Sequence, residues 1–250
     1  MNLRRKQIAL GIIIPLLILA VIYFLGFTRL GYVTTIQYRG FSRIQENIYI
    51  DDDYQGDGAT LISIINDANN RLTAFVRDIQ SQPTIIISDN EKKLKRMGWT
   101  GNSALTTTYV FGGAHSYVVI TPNGLNIDVV AHELTHAELH KRLYNGKILQ
   151  STLVPFWFDE GFALQVDYRE RYDDNAWIEV TDHGENMTDF ANLETASQFF
   201  NQDADIRKYN YIISKYEVKQ WIEQHSVEEL LVLISDVNLG KEFNDLYYSK

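Results

Sequence analysis

YVVITPNGLNIDVVAHELTHAELHKRL, residues 117–143, changes its hydrophobic pattern halfway along. Tyr117 to Ile120 ends a run of strand character that begins at Thr106 and is interrupted at Gly112 and Gly113. Pro122-Asn123-Gly124 is turn chemistry. Asn126 then offers a side-chain oxygen to the unpaired N–H groups of a helix start, and Lys141 and Arg142 stand at the end where the helix dipole favours cations. These signals predict a helix reaching about Leu143, with Asn145-Gly146 as its exit turn.

Outward from this unit, both flanks can be read in the same way. Tyr32 to Ile50 is rich in Tyr, Ile, Val and Thr with partial alternation, which predicts short strands ended by Asp51-Asp52-Asp53, Gly56 and Gly58. From Ala59 to Ile79, apolar residues recur every three or four positions (Leu61, Ile64, Ile65, Ala68, Leu72, Phe75, Val76, Ile79), the pattern of an amphipathic helix. Thr84 to Ile87 is a short buried strand after the Gln82-Pro83 break; Asp89 can cap a short helix through Met97, closed by Gly98. Downstream, a helix begins after Pro155 and helix continues from about Ile206, with Ser226-Val227-Glu228-Glu229 starting a new one as a capping box. Strands and a helix come first and helices follow. The fold class is therefore α+β: a small mixed sheet, a central helix and a mainly helical C-terminal part.

The chain has 250 residues, 45% hydrophobic and 22% charged, enough for one real core. No repeat or low-complexity segment marks a second domain. A net charge of −9 without a basic stretch beyond the first residues argues against nucleic acid as partner. Cysteine is absent, so disulfides and thiolate chemistry are excluded, and any metal must be held by His, Asp or Glu.

Arg4, Arg5 and Lys6 precede an uncharged, mostly apolar run from Gln7 through Thr28. About 20 such residues span a bilayer core. Tyr23-Phe24-Leu25-Gly26-Phe27 lacks a small-x-small cleavage site, which favours an uncleaved signal anchor over a cleaved signal peptide. With Arg29 the only cation close behind the span, the N-terminus is expected inside. Residues 1–27 then form a cytoplasmic stub and a single transmembrane helix in the lipid bilayer. Residues 28–250 form one exported domain, periplasmic or extracellular, whose acidic surface should resist anionic lipid beyond the anchor.

Within the predicted central helix, Ala131-His132-Glu133-Leu134-Thr135-His136 contains H-E-x-x-H. Four residues is slightly more than one turn, so His132 and His136 project from one face and can share a zinc ion. Glu133, beside the first ligand, can reach a water on that zinc and act as general base. Downstream, Phe156-Trp157-Phe158-Asp159-Glu160-Gly161-Phe162-Ala163 offers Glu160 as third ligand, and Gly161 would let its helix approach a partner closely. Two His and one Glu leave a position open for water or substrate, as catalytic zinc requires.

In these residues the chain resembles the gluzincin clan of metallopeptidases. Trp157 to Ala163 is similar to the W-x-N-E-G-F-A motif of the aminopeptidase N family, and the wider likeness is to small peptidase MA-like proteins. It covers about Ile85 to the C-terminus and is strongest from Val118 to Ala163. The resemblance implies one zinc per chain, hydrolysis of peptide bonds in a peptide or protein substrate, and a Tyr or His outside the zinc helix that stabilises the oxyanion. Tyr209-Asn210-Tyr211 lies at a comparable point, with Tyr211 preferred over Tyr209; in a chain of 15 Tyr, plain packing is the alternative. Glu160 follows His136 by 24 residues, more than in the aminopeptidase N family, so the loop from Tyr144 to Pro155 differs. In place of that family's Gly-Ala-Met-Glu-Asn segment stands Gly112-Gly113-Ala114-His115-Ser116, with no carboxylate to hold a substrate ammonium. An endopeptidase is expected, its extended substrate pairing with an edge strand around Tyr117 to Ile120.

Other polar residues carry weaker expectations. Asp128, four residues before His132, either orients a ligand or is a first-turn acid favoured by the helix dipole. His140 is expected at a solvated helix end, and Asp51 to Asp53 in a solvated turn. Asp159 is a helix cap or a contact to the zinc helix; His115 and His183 have no assigned role. Two other functions stay open beside proteolysis: a noncatalytic anchored binding or assembly protein of peptidase ancestry, and a zinc hydrolase acting on a non-peptide amide.

Overall fold

The computed structural model describes residues 3–110, 113–146 and 153–248, with side chains from Ile12 onward. The elements, in order, are α1 (Leu3–Phe27), α2 (Arg29–Thr34), β1 (Phe41–Gln45), β2 (Ile48–Asp51), α3 (Gly58–Val76), β3 (Thr84–Ile87), α4 (Glu91–Arg96), β4 (Ala104–Tyr109) and β5 (His115–Ile120). They continue with α5 (Ile127–Arg142), α6 (Phe156–Ala163), α7 (Asp174–Thr181), α8 (Ala196–Phe199), α9 (Ala204–Gln224), α10 (Val227–Asn238) and α11 (Phe243–Tyr247). This is the α+β arrangement of a small mixed sheet with mostly helical remainder.

The sheet order is β1-β2-β3-β5-β4. β2, β3 and β5 are parallel neighbours, while β1 and β4 pair antiparallel at the two edges. Alternation along the inner strands divides the interior. Ile85, Ile87, Val118 and Ile120 face the main core with α3, α5, α6 and the C-terminal helices, while Ile86, Tyr117 and Val119 face a smaller core with α2 and α4. Because both faces are covered, these strands read as continuous apolar runs.

Three sequence expectations change here. The segment from Tyr32 is helical before it becomes strand: Tyr32, Val33 and Ile36 are buried in the smaller core, where tertiary packing overrides β propensity. Asp51 is not solvated but 1% exposed, with its carboxylate taking Lys93 Nζ at 2.6 Å and Ser88 Oγ at 2.6 Å. β5 is interior, flanked by β3 and β4, so the free edge nearest α5 belongs to β4 rather than to Tyr117–Ile120.

Among the described residues, no helix is long and apolar enough to cross a membrane. α1 itself runs 25 residues, but its described side chains begin only at Ile12, and the expected leading cations Arg4, Arg5 and Lys6 lie outside them. From Ile12 on, its apolar side chains are largely exposed, Leu19 at 60% and Phe27 at 68%.

Candidate metal centre

Helix α5 is started as its sequence requires, with Asn126 Oδ1 accepting the Val129 N–H at 2.9 Å. It lies against β4 and β5 on one side and α3 and α6 on the other. α6 reaches it because its opposite face carries no side chain at Gly161: a Cβ there would stand 2.4 Å from the Ser214 carbonyl oxygen of α9. Trp157, Phe158 and Phe162 are essentially fully buried, and Phe243 and Tyr247 of α11 stack onto this aromatic cluster. The helix carrying the third predicted ligand is thus wedged between α5 and α9.

His132, His136 and Glu160 come together, at 8%, 9% and 4% exposure. The two Nε2 atoms are 3.1 Å apart, and Glu160 Oε2 lies 3.4 Å from His132 Nε2 and 3.5 Å from His136 Nε2. Tetrahedral ligands about 2.0–2.1 Å from a zinc ion stand about 3.3–3.4 Å from one another. The three atoms therefore already mark one face of such a tetrahedron. Glu160 Oε2 is buried without a proper hydrogen-bond donor among the described residues, which is costly unless a cation or proton occupies the centre. The donor set fits a metal ion.

A carboxylate orients the His136 and His140 rings. Asp159 Oδ1 takes His136 Nδ1 at 2.7 Å, and Oδ2 takes His140 Nε2 at 2.9 Å. Of the two readings of Asp159, contact to helix α5 is the one observed. His140 is not a solvated helix end, because Asp159 and the β4 strand enclose it. Behind His132, the ring Nδ1 lies 3.7 Å from Asp167 Oδ2, and Asp167 is itself held by Arg169 Nε at 2.8 Å. Asp167 had no signal in the sequence, since only folding returns the short turn after α6 to the His132 ring. Asp128 orients no ligand. It pairs with Arg71 at 2.5 Å and accepts the Tyr168 N–H at 3.0 Å, fastening α3 and the residues after α6 to the start of α5.

Burial alone lowers the His136 pKa, yet the Asp159 and Glu160 carboxylates outweigh it and raise the ring well above its ordinary value. In the same balance, burial raises Glu160 and Asp159, but the facing imidazoles hold both below the usual carboxylate range. The centre is thus an anionic pocket that demands positive charge.

Glu133 lies at the rim, half-buried, its Oε2 accepting from Thr106 Oγ1 of β4 at 2.6 Å. Tyr211 packs against Tyr172 and Phe199, within electrostatic reach of Glu160 and Glu133; burial first, then those carboxylates, pushes its hydroxyl pKa far up. Tyr209 is committed elsewhere, its hydroxyl donating to Asn186 O and accepting from Thr188 N. His115 has its Nε2 bonded to Thr84 and its ring edge-on to Tyr117, and is no part of the cluster. A cavity of about 260 Å³ lies apart from the triad, between Gln80–Pro83, Ala114–Ser116 and Lys141. No family model, no curated protein and no solved structure matches this chain, so the centre is characterised by its own geometry alone.

Proposed function

We propose that the chain is a zinc-dependent metallopeptidase that cuts within extended peptides outside the cytoplasmic membrane. The observation that carries this is the buried triangle of His132 Nε2, His136 Nε2 and Glu160 Oε2, 3.1 to 3.5 Å on a side. Three protein ligands of this type suit one zinc and leave a fourth position for water or substrate. When bound, zinc supplies Lewis acidity that polarises an amide carbonyl and makes water nucleophilic near neutral pH.

The chain's own groups do the rest. Glu133, held by Thr106, takes the proton of the attacking water and returns it to the leaving amine. Tyr211 stays protonated, because burial and two nearby carboxylates oppose its ionisation, and so can donate a hydrogen bond to the developing oxyanion. Thr106 is on the edge strand β4, so a peptide that pairs with the open edge of β4 passes the base. Residues Gly113 to Ser116 carry no carboxylate for a free substrate amine, which supports endopeptidase over aminopeptidase.

The N-terminal helix serves here as anchor in the lipid bilayer, with the domain exported. In favour are the 25-residue length of α1, about 37 Å at 1.5 Å per residue, and its exposed apolar side chains from Ile12 to Phe27.

Zinc content tests the proposal. Full-length protein should hold close to one zinc per chain, and His132→Ala and Glu160→Ala should lose it. Glu133→Gln should keep zinc and lose hydrolysis in a peptide-library screen. A folded parent that takes up no zinc when supplied with it sinks the proposal; full biological activity in Glu133→Gln would instead favour the noncatalytic alternative.

A further inference from the structure

His140 and Thr108 stand outside the triad, yet they belong to an unbroken line of five polar groups that ends on it: Ser116, Thr108, His140, Asp159 and His136. Ser116 Oγ lies 2.7 Å from Thr108 Oγ1, and Thr108 Oγ1 lies 2.9 Å from His140 Nδ1. His140 Nε2 is 2.9 Å from Asp159 Oδ2, and Asp159 Oδ1 is 2.7 Å from His136 Nδ1.

The direction of each bond follows from the acceptor-only character of an ionised carboxylate. Each Asp159 oxygen faces one ring nitrogen, at 2.7 Å from His136 and 2.9 Å from His140. Both ring nitrogens facing it must therefore carry protons, Nε2 of His140 and Nδ1 of His136. With the His140 proton placed on Nε2, Nδ1 accepts from the Thr108 hydroxyl, which accepts in turn from Ser116. At the far end, His136 with its proton on Nδ1 leaves its Nε2 lone pair for the space shared with His132 Nε2 and Glu160 Oε2.

We propose that His140 and Thr108 are positioning residues for the metal ligand His136, acting through Asp159 to fix its tautomer and ring orientation. Hydrogen-bond partners behind a ligating imidazole tune metal affinity by about 10–100-fold. Here the support continues three groups further than Asp159, through His140 and Thr108 of the edge strand to Ser116 of β5. Thr106 and Thr108 are two residues apart on the same face of β4, one holding the base Glu133 and the other the line to His136. The strand proposed to receive the peptide thus also aligns the zinc site. This inference rests on the zinc reading above.

Zinc affinity of the metal-free, full-length protein, measured by competition with a chromophoric chelator, tests it. His140→Phe should weaken binding about 10-fold and Thr108→Val about threefold. Thr108→Ser, which keeps the hydroxyl, should match the parent, and that rescue separates positioning from mere packing. Metal-free thermal unfolding, run alongside, identifies any variant that fails to fold. Thr108→Val, nearly isosteric, decides the matter if His140→Phe is lost. Parent-like affinity in folded Thr108→Val and His140→Phe overturns the inference while leaving the zinc site standing; a parent without zinc overturns both.

Discussion

Asp159→Asn isolates the most consequential contact behind the metal ligands. The Asp159 carboxylate and the His136 ring are about nine-tenths buried, and their bond is 2.7 Å long, so solvent screens it little. Asp159 also accepts from His140 at 2.9 Å, one ring N–H for each oxygen. Asparagine is nearly isosteric but offers one acceptor and one NH₂ group. One of the two rings must then face a donor with a donor, or change tautomer, and the negative charge that makes His136 a stronger ligand is gone. The expected loss is about 10–100-fold in zinc affinity, or about 1.4–2.7 kcal/mol. Competition titration against a chelator reads this directly, with circular dichroism melting to establish that the variant is folded. A folded Asp159→Asn protein that binds zinc within twofold of the parent would refute the orientation of His136 by this carboxylate.

Three further outcomes are expected. Gly161→Ala puts a methyl group 2.4 Å from the Ser214 carbonyl, so α6 and α9 must separate; about 1–3 kcal/mol of stability should be lost in denaturant titration, and an unchanged midpoint would contradict the packing. Phe243→Ala removes a buried ring that meets Phe158 edge-on and stacks on Tyr247 and should cost about 3–5 kcal/mol, read as a lowered Tm. The third concerns pH: the folded His136 pKa is raised well above 6.5, so its contribution to metal-free stability is full below the unfolded value and lost as pH rises through the folded one. The metal-free Tm should therefore fall across that window while zinc affinity rises, because zinc must displace the same proton; a Tm independent of pH from about 6 to 9 would rule out the coupling.

The sequence by itself determined much of the architecture and named the candidate ligands. The helix from Asn126, the strand Thr84–Ile87, the helix after Pro155 and the glycine at the α6–α9 contact were legible, because capping, alternation and helical spacing are local properties. His132 and His136 were legible because their spacing is one turn of helix, and Glu160 because the segment Trp157–Ala163 resembles a known ligand motif. What only the tertiary structure decided are the relations between elements. Strand order placed β5 inside and β4 at the edge. Folding brought Asp167 behind His132 and Thr106 to Glu133, and turned His140 from a helix end into a partner of Asp159. It also assigned Asp128 to Arg71 and buried Asp51 against Lys93. A charged or polar side chain reveals its residue type in the sequence but not its partner. That partner is chosen by which distant surface the hydrophobic packing brings within about 3 Å of it.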